Sequence, residues 1–157
     1  MKNAVYTAHA RVTGGRDNGR GRTPGGEVDL PLRLPTELGG RGDGANPEQL
    51  FAIGYAACFE AAMTVAAQPA GIPIAQVADV AIDATVMLIA SDDRTFKLGA
   101  ELEVDLRSVP DPAVAAELVR ETHRICPYSN ATRGNIEVAI RVNGVALNSK
   151  ADLARAA

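Results

Sequence analysis

Alternating hydrophobic and polar residues mark five stretches of the chain, and each alternation predicts a β-strand with one buried face. The stretches are residues 4–12, 28–34, 77–90, 95–109 and 136–142. The fourth is the clearest, because aliphatic residues from Leu98 to Leu106 alternate with charged ones. Pro31 lacks the backbone N–H that a central strand needs, so we expect the second stretch to lie at a sheet edge or a bulge.

The longest apolar stretch has the spacing and the start signals of a helix. Asn46 is a suitable N-cap, and Pro47 fits the first turn. Glu48 favours the positive end of the helix dipole, and we predict that the helix runs to about Ala67. Its residues are apolar on nearly all sides, which indicates a helix buried within the domain or between subunits.

The remaining elements predict an α+β fold with two separated helices and antiparallel sheets. The second helix covers residues 111–126, and a loop follows at 129–135. The arginine-rich stretch 16–22 is interrupted by glycine and aspartate, so we interpret it as a solvated turn. We predict a single domain over residues 1–145 and a frayed or helical tail over 146–157.

Composition narrows the class of protein further. The chain has 157 residues and a net charge of -3, and no basic cluster typical of nucleic-acid binding is present. The start lacks an apolar signal region, and the apolar helix contains Glu60, so we expect neither export nor a membrane span. Two cysteines in such a chain fit a cytoplasmic protein, where disulfides are usually transient. The abundance of alanine favours oligomerisation, because each alanine buries little area.

Cys58 and Cys126 are the only two cysteines, and they lie in different surroundings. Cys58 lies within the apolar predicted helix, whereas Cys126 ends the second helix directly before Pro127. If the fold brings the two thiols together, one can attack a substrate and the other can resolve the product. The alternative, which the spacing leaves open, is that both are inert core residues.

A buried thiol needs help to ionise, because apolar surroundings raise its pKa. Cys58 lies about ten residues past the helix start, beyond the reach of the helix dipole. An arginine brought in from elsewhere is the best cation for a partly buried site, but composition does not select one of the thirteen. We predict no metal site at His123 and Cys126, because His9 is the only other histidine and the chain has no CxxC or HxxxH spacing.

Three groups of residues carry a resemblance to a known family. They are Tyr6-Thr7-Ala8 with Thr13-Gly14-Gly15-Arg16-Asp17, Asn46-Pro47-Glu48-Gln49-Leu50-Phe51-Ala52 with Gly54-Tyr55-Ala56-Ala57-Cys58-Phe59, and Cys126-Pro127-Tyr128-Ser129-Asn130-Ala131-Thr132-Arg133-Gly134-Asn135. These segments are similar to the organic hydroperoxide resistance branch of the OsmC/Ohr superfamily. The similarity extends over nearly the whole chain to about residue 142.

The resemblance implies a function and a site. It implies Cys58 as the peroxidatic thiol, Cys126 as the resolving thiol, and Arg16 with Glu48 as the charged pair that sets up the thiolate. It also implies an OsmC/Ohr-like fold in an intertwined homodimer, with two sites at the subunit interface. No metal or cofactor is implied to be bound, and dihydrolipoamide or a lipoylated protein is the implied external reductant.

Two expectations about the geometry follow from the implied site. In one straight helix, Glu48 and Cys58 lie about 15 Å apart along the axis, so one arginine cannot readily touch both. We therefore predict that the helix breaks near Gly54 or that the second subunit supplies part of the site. An apolar approach would favour fatty or aryl hydroperoxides, and its candidate residues, which are alternatively core residues, are Phe51, Ile53, Tyr55, Phe59 and Met63.

Two other functions stay open. The first is a general or osmotic-stress peroxidase of the OsmC type, with a preference for other peroxides. The second is a non-enzymatic dimeric module that uses the apolar helix to bind lipid or a partner protein.

Overall fold

The computed structural model describes residues 3–147, and the chain divides into two units, Met1–Leu50 and Phe51–Ala157. The fold is α+β, as predicted. The single domain over residues 1–145 stays a prediction. Of the predicted tail, residues 148–157 lie outside the described residues.

A three-stranded antiparallel sheet is the main element of the first unit. Its strands, in the order β1-β2-β3, are β1 (Arg11–Thr13), β2 (Gly19–Arg22) and β3 (Asp29–Leu32). A single helical turn, α1 (Gly15–Asn18), connects β1 to β2. Pro31 lies in the edge strand β3, as predicted, where its missing N–H costs no hydrogen bond within the sheet.

The predicted strand over residues 4–12 is wrong for most of its length. Only its last two residues enter β1, because β2 supplies the pairing and ends at Arg22, opposite Arg11. Val5 and Tyr6 are exposed, with 103% and 82% relative accessibility. Among residues 3–147, nothing pairs with the segment before Arg11 as a strand.

The long helix α2 (Pro47–Ala67) begins and ends where the sequence predicts. Its start is closed by a capping box, because Asn46 Oδ1 accepts from the Gln49 N–H at 2.8 Å and Gln49 Oε1 accepts from the Asn46 N–H at 3.1 Å. The helix continues without interruption through Gly54, so the predicted break at that residue is wrong.

One face of α2 forms the centre of the core of the second unit. Tyr55, Phe59 and Met63 have no exposed surface. The helix is long and apolar enough to qualify as a membrane span by length and composition alone. Burial of these three large side chains against a sheet and other helices is what a core helix of a globular domain shows.

A four-stranded sheet covers that core. Its strands, in the order β4-β5-β6-β7, are β4 (Ala81–Ala90), β5 (Phe96–Asp105), β6 (Glu137–Val142) and β7 (Val145–Ala146). Leu102 and Val104 of β5 are buried, whereas the intervening Glu103 is only partly buried. The pair β5·β6 is parallel, unlike the predicted antiparallel pairs, because a helical crossover joins the two strands.

That crossover consists of two helices, α3 (Pro112–Ile125) and α4 (Pro127–Thr132). Asp111 caps α3 by accepting from two backbone N–H groups, as its position before a proline predicts. The predicted loop over residues 129–135 is wrong in its first half, which belongs to α4. Pro127 starts this second helix immediately after it ends the first, because a proline is tolerated in a first helical turn.

Candidate active site

The two thiols lie side by side in the second unit. The Sγ atoms of Cys58 and Cys126 are 3.7 Å apart, and the Cys126 thiol donates a weak hydrogen bond to Cys58. Cys126 is fully buried, whereas Cys58 is partly exposed. A disulfide bond is about 2.05 Å long, so the sulfurs need to approach by about 1.7 Å to form one.

A glycine in α2, Gly54, lies on the helix face that meets α4 near the thiols. Gly54 and Cys58 are four residues apart and therefore share one helix face. This face meets α4 at Tyr128, and a Cβ atom on Gly54 would lie 2.7 Å from the Tyr128 hydroxyl. Glycine at position 54 therefore leaves the space that the Tyr128 ring occupies against α2.

Cys126 lies at the corner where the chain turns from α3 into α4. Its N–H donates to the Thr122 carbonyl at 2.9 Å and ends α3, and its own carbonyl accepts from the Asn130 N–H at 2.9 Å in α4. Cys126 has an extended backbone conformation (φ -60°, ψ 126°), which bends the chain between the two helices. The second thiol is therefore held by helical hydrogen bonds on both sides.

A buried hydroxyl cluster ties α4 to α2. The Tyr55 hydroxyl lies 3.0 Å from Ser129 Oγ and 3.5 Å from Thr132 Oγ1. The Tyr55 ring packs against those of Phe51 and Tyr128. Burial raises the pKa of Tyr55, so this group stays a neutral hydrogen-bonding phenol. The sequence alone gave Ser129 and Thr132 no role, although both lie in the segment 126–135 that carries the family resemblance.

The electrostatics of this pocket do not favour a thiolate at Cys58. Burial is the main cause that raises the pKa of the Cys58 thiol, and the neighbouring Cys126 raises it further. A hydrogen bond from the Tyr128 backbone N–H acts in the opposite direction, and its effect on the pKa is smaller than that of burial. Cys58 is therefore a protonated thiol at neutral pH unless a cation approaches it.

Arg16 and Glu48 form an ion pair within the first unit. Arg16 Nη2 lies 3.1 Å from Oε1 and 3.0 Å from Oε2 of Glu48. Arg16 lies on α1, directly after Gly14 and Gly15, whose positive φ angles of 75° and 69° make the tight turn. The solvated turn predicted for residues 16–22 is thus wrong, because Arg16 is held by a carboxylate and the later residues form β2.

The residues predicted to line an approach to the thiol separate into two groups. Tyr55, Phe59 and Met63 are fully buried in the core, so they do not line an approach from solvent, which corrects that expectation. Phe51 is partly buried against the core, and Ile53 has 67% relative accessibility. Of the five predicted residues, only Phe51 and Ile53 are exposed enough to contact a substrate that arrives from solvent.

His123, the histidine nearest to the thiols in sequence, is buried and neutral. Burial is the main cause that lowers its pKa to about 4, and the nearby Arg133 guanidinium acts in the same direction. Within residues 3–147, no group of three or more His, Cys, Asp or Glu side chains is placed to hold a metal ion.

Comparison with known proteins gives the same family at the level of sequence and of fold. A family model described as "OsmC-like protein" matches residues 40–141. The organic hydroperoxide resistance protein of Xanthomonas axonopodis pv. citri is 47% identical over 138 residues, which are 87% of this chain and 93% of that protein.

Solved structures agree. The organic hydroperoxide resistance protein OsmC of Legionella pneumophila is 44% identical and superposes with a TM-score of 0.82, over 89% of this chain and 98% of that one. For the organic hydroperoxide resistance protein OhrB of Bacillus subtilis, the identity is 38% and the TM-score is 0.78, over 89% of this chain and all of that one.

Replacing Gly54 with alanine tests whether close helix packing sets the distance between the sulfurs. In Gly54→Ala the added methyl group collides with the Tyr128 hydroxyl, so α4 and Cys126 move away from Cys58. We expect diamide to convert the thiols to a disulfide more slowly than in the wild type, as followed by loss of titratable thiol. Gly21→Ala is the control, because its new methyl group meets only side-chain atoms at 3.7 Å or more. Equal oxidation rates for Gly54→Ala and the wild type would contradict this explanation.

Proposed function

Since the chain belongs to the family of OsmC-like proteins, we propose that it is a thiol-dependent peroxidase that reduces organic hydroperoxides to alcohols. The observation that carries the proposal is the 3.7 Å separation of the two sulfurs. One is partly open to solvent and the other is sheltered, which suits an attacking thiol and a resolving thiol, respectively. Relatives named for organic hydroperoxide resistance support the choice of substrate class.

The proposed reaction has three steps. The Cys58 thiolate attacks a peroxide oxygen, the O–O bond breaks, and the alcohol leaves after it takes up a proton. Cys58 is then a sulfenic acid, which the Cys126 thiol attacks to form the disulfide and release water. A dihydrolipoyl dithiol reduces the disulfide by two thiol exchanges and becomes the cyclic lipoyl disulfide. No bound cofactor takes part in any step.

We assign activation of Cys58 to the Arg16–Glu48 pair. The pocket itself raises the thiol pKa, so a guanidinium is needed to favour the thiolate. Within the described residues, Arg16 Nε is buried and has no hydrogen-bond acceptor. A thiolate or a peroxide oxygen would satisfy this donor, while Glu48 holds the other end of the guanidinium.

The unbroken helix α2 favours a site completed by a second copy of the chain. Glu48 and Cys58 lie ten residues apart on one continuous helix, about 15 Å along its axis. Because the helix does not break at Gly54, we propose the other predicted arrangement, in which the second subunit supplies part of the site. Ile53 and Val65 of α2 are 67% and 61% exposed, which is apolar surface that an intertwined homodimer would cover.

The substrate and the cellular context follow from the same proposal. Phe51 and Ile53 offer an apolar contact to the organic part of the peroxide. The cytoplasm stays the predicted location, because a thiol pair that cycles needs reducing surroundings. A lipoylated protein is the proposed physiological reductant.

Turnover of cumene hydroperoxide with dihydrolipoamide tests the proposed activity directly. We expect Cys58→Ser to abolish consumption of the peroxide, because no other thiol is activated. Cys126→Ser should still release one alcohol per chain as Cys58 becomes a sulfenic acid, which accumulates because the resolving thiol is missing. A second peroxide would then oxidise it to sulfinic acid and release a second alcohol. Full turnover by Cys58→Ser would exclude the mechanism.

The same assay separates the other functions. A general or osmotic-stress peroxidase of the OsmC type would consume hydrogen peroxide faster than cumene hydroperoxide. A non-enzymatic lipid-binding or partner-binding module would consume neither, and both thiols could be replaced without loss of its function.

Replacing Arg16 tests how the thiolate is formed. In Arg16→Ala we expect the reaction of Cys58 with cumene hydroperoxide to slow by roughly tenfold or more at neutral pH, since a lost charge contact raises the thiol pKa. The rate should recover as the pH rises, because hydroxide then ionises the thiol. Arg20→Ala is the control, since Arg20 pairs with Asp29 on the neighbouring strand.

Mixed dimers test whether the pair and the thiol come from different chains. Subunits of Arg16→Ala, which is expected to be slow, and of Cys58→Ser, which is expected to be inactive, are denatured together and refolded. A mixed dimer contains one intact site only if Arg16 of one chain serves Cys58 of the other, so activity should return. Dimers that form but stay inactive would show that both residues act within one chain.

A further inference from the structure

Arg133 spans the corner at which Cys126 lies. Its Nη2 donates to the His123 carbonyl at 2.9 Å, at the end of α3, and its Nη1 donates to Asn130 Oδ1 at 2.8 Å, within α4. One guanidinium therefore holds the chain three residues before the thiol and four residues after it. All of these groups belong to the second unit.

The hydrogen bond from Arg133 to the His123 carbonyl replaces a helical hydrogen bond that Pro127 is unable to donate. In a continuous helix, the His123 carbonyl would accept from the N–H of residue 127, which is four positions later. Residue 127 is proline and has no N–H, so this carbonyl loses its helical donor. Because His123 is buried, water is a poor substitute, and Arg133 supplies the missing donor.

Arg133, which follows α4, differs from the arginines of α3 in its partners. Arg120 and Arg124 pair with glutamates one helical turn away and lie on the exposed side of the helix. Arg133 bonds to two neutral oxygens, and among residues 3–147 no carboxylate lies within ion-pair distance of it. Its bonds therefore fix the geometry of the corner instead of neutralising a charge.

We propose that Arg133 is a positioning residue for the resolving step, in which it holds Cys126 in line with oxidised Cys58. This inference rests on the proposed function. In that step the Cys126 sulfur attacks the sulfur of the Cys58 sulfenic acid. The S–S bond forms, the S–O bond breaks, and water leaves with the proton of the Cys126 thiol. The sulfurs must approach by about 1.7 Å, so a loosened corner lowers the chance that they meet.

The test separates the two chemical steps in single-turnover experiments with cumene hydroperoxide. In Arg133→Ala we expect peroxide consumption within about twofold of the wild type, but disulfide formation slowed by roughly tenfold or more. The sulfenic acid on Cys58 then persists for longer, so excess peroxide should oxidise more of it to sulfinic acid. Mass spectrometry detects this product. Arg133→Lys keeps one charged donor and should restore part of the disulfide rate. Arg124→Ala is the control on the exposed side of α3.

A purely structural role predicts a different pattern. If Arg133 only stabilised the fold, Arg133→Ala would lower the melting temperature without changing the ratio of disulfide to sulfinic acid in the folded protein. That unchanged ratio would overturn the inference while leaving the proposed function intact. A wild-type protein that forms no disulfide at all would overturn both.

Discussion

The close contact between α2 and α4 is the constraint on which the candidate site depends. Gly54 lets the Tyr128 hydroxyl approach the helix backbone, and the same face of α2 carries Cys58 toward Cys126. The contact is held by groups that carry no charge, including the buried Tyr55 hydroxyl and its partner Ser129. Two thiols that are 68 residues apart in sequence thus become neighbours where α2 packs against α4.

The packing that buries the thiols also disfavours the thiolate form that their chemistry requires. Burial raises the pKa of Cys58, and nothing within its own pocket offsets this effect fully. Arg16 is paired with Glu48 within the first unit. The proposed function therefore assigns ionisation of the thiol to a cation that is not part of the thiol pocket.

Sequence patterns predicted the parts of the fold that local interactions decide. The capping residue Asn46, the length of α2 and the edge position of Pro31 were all predicted correctly, because each depends on neighbours in the chain. Residues 4–10 form no strand because strand formation needs a partner, which alternation does not reveal. The sequence itself offered the two cysteines, and the resemblance assigned their roles together with those of Arg16 and Glu48. The role proposed for Arg133 depends on a carbonyl left free by Pro127, which becomes visible only once the corner is folded.

The central claim is that the two sulfurs are already placed to bond. It is tested most directly by adding one equivalent of cumene hydroperoxide to the reduced protein and mapping the product by mass spectrometry. We predict a loss of two hydrogens per chain and a Cys58–Cys126 cross-link within a single chain, before any overoxidation. Recovery of Cys58 as sulfinic acid, with Cys126 still a free thiol, would contradict this account of the site.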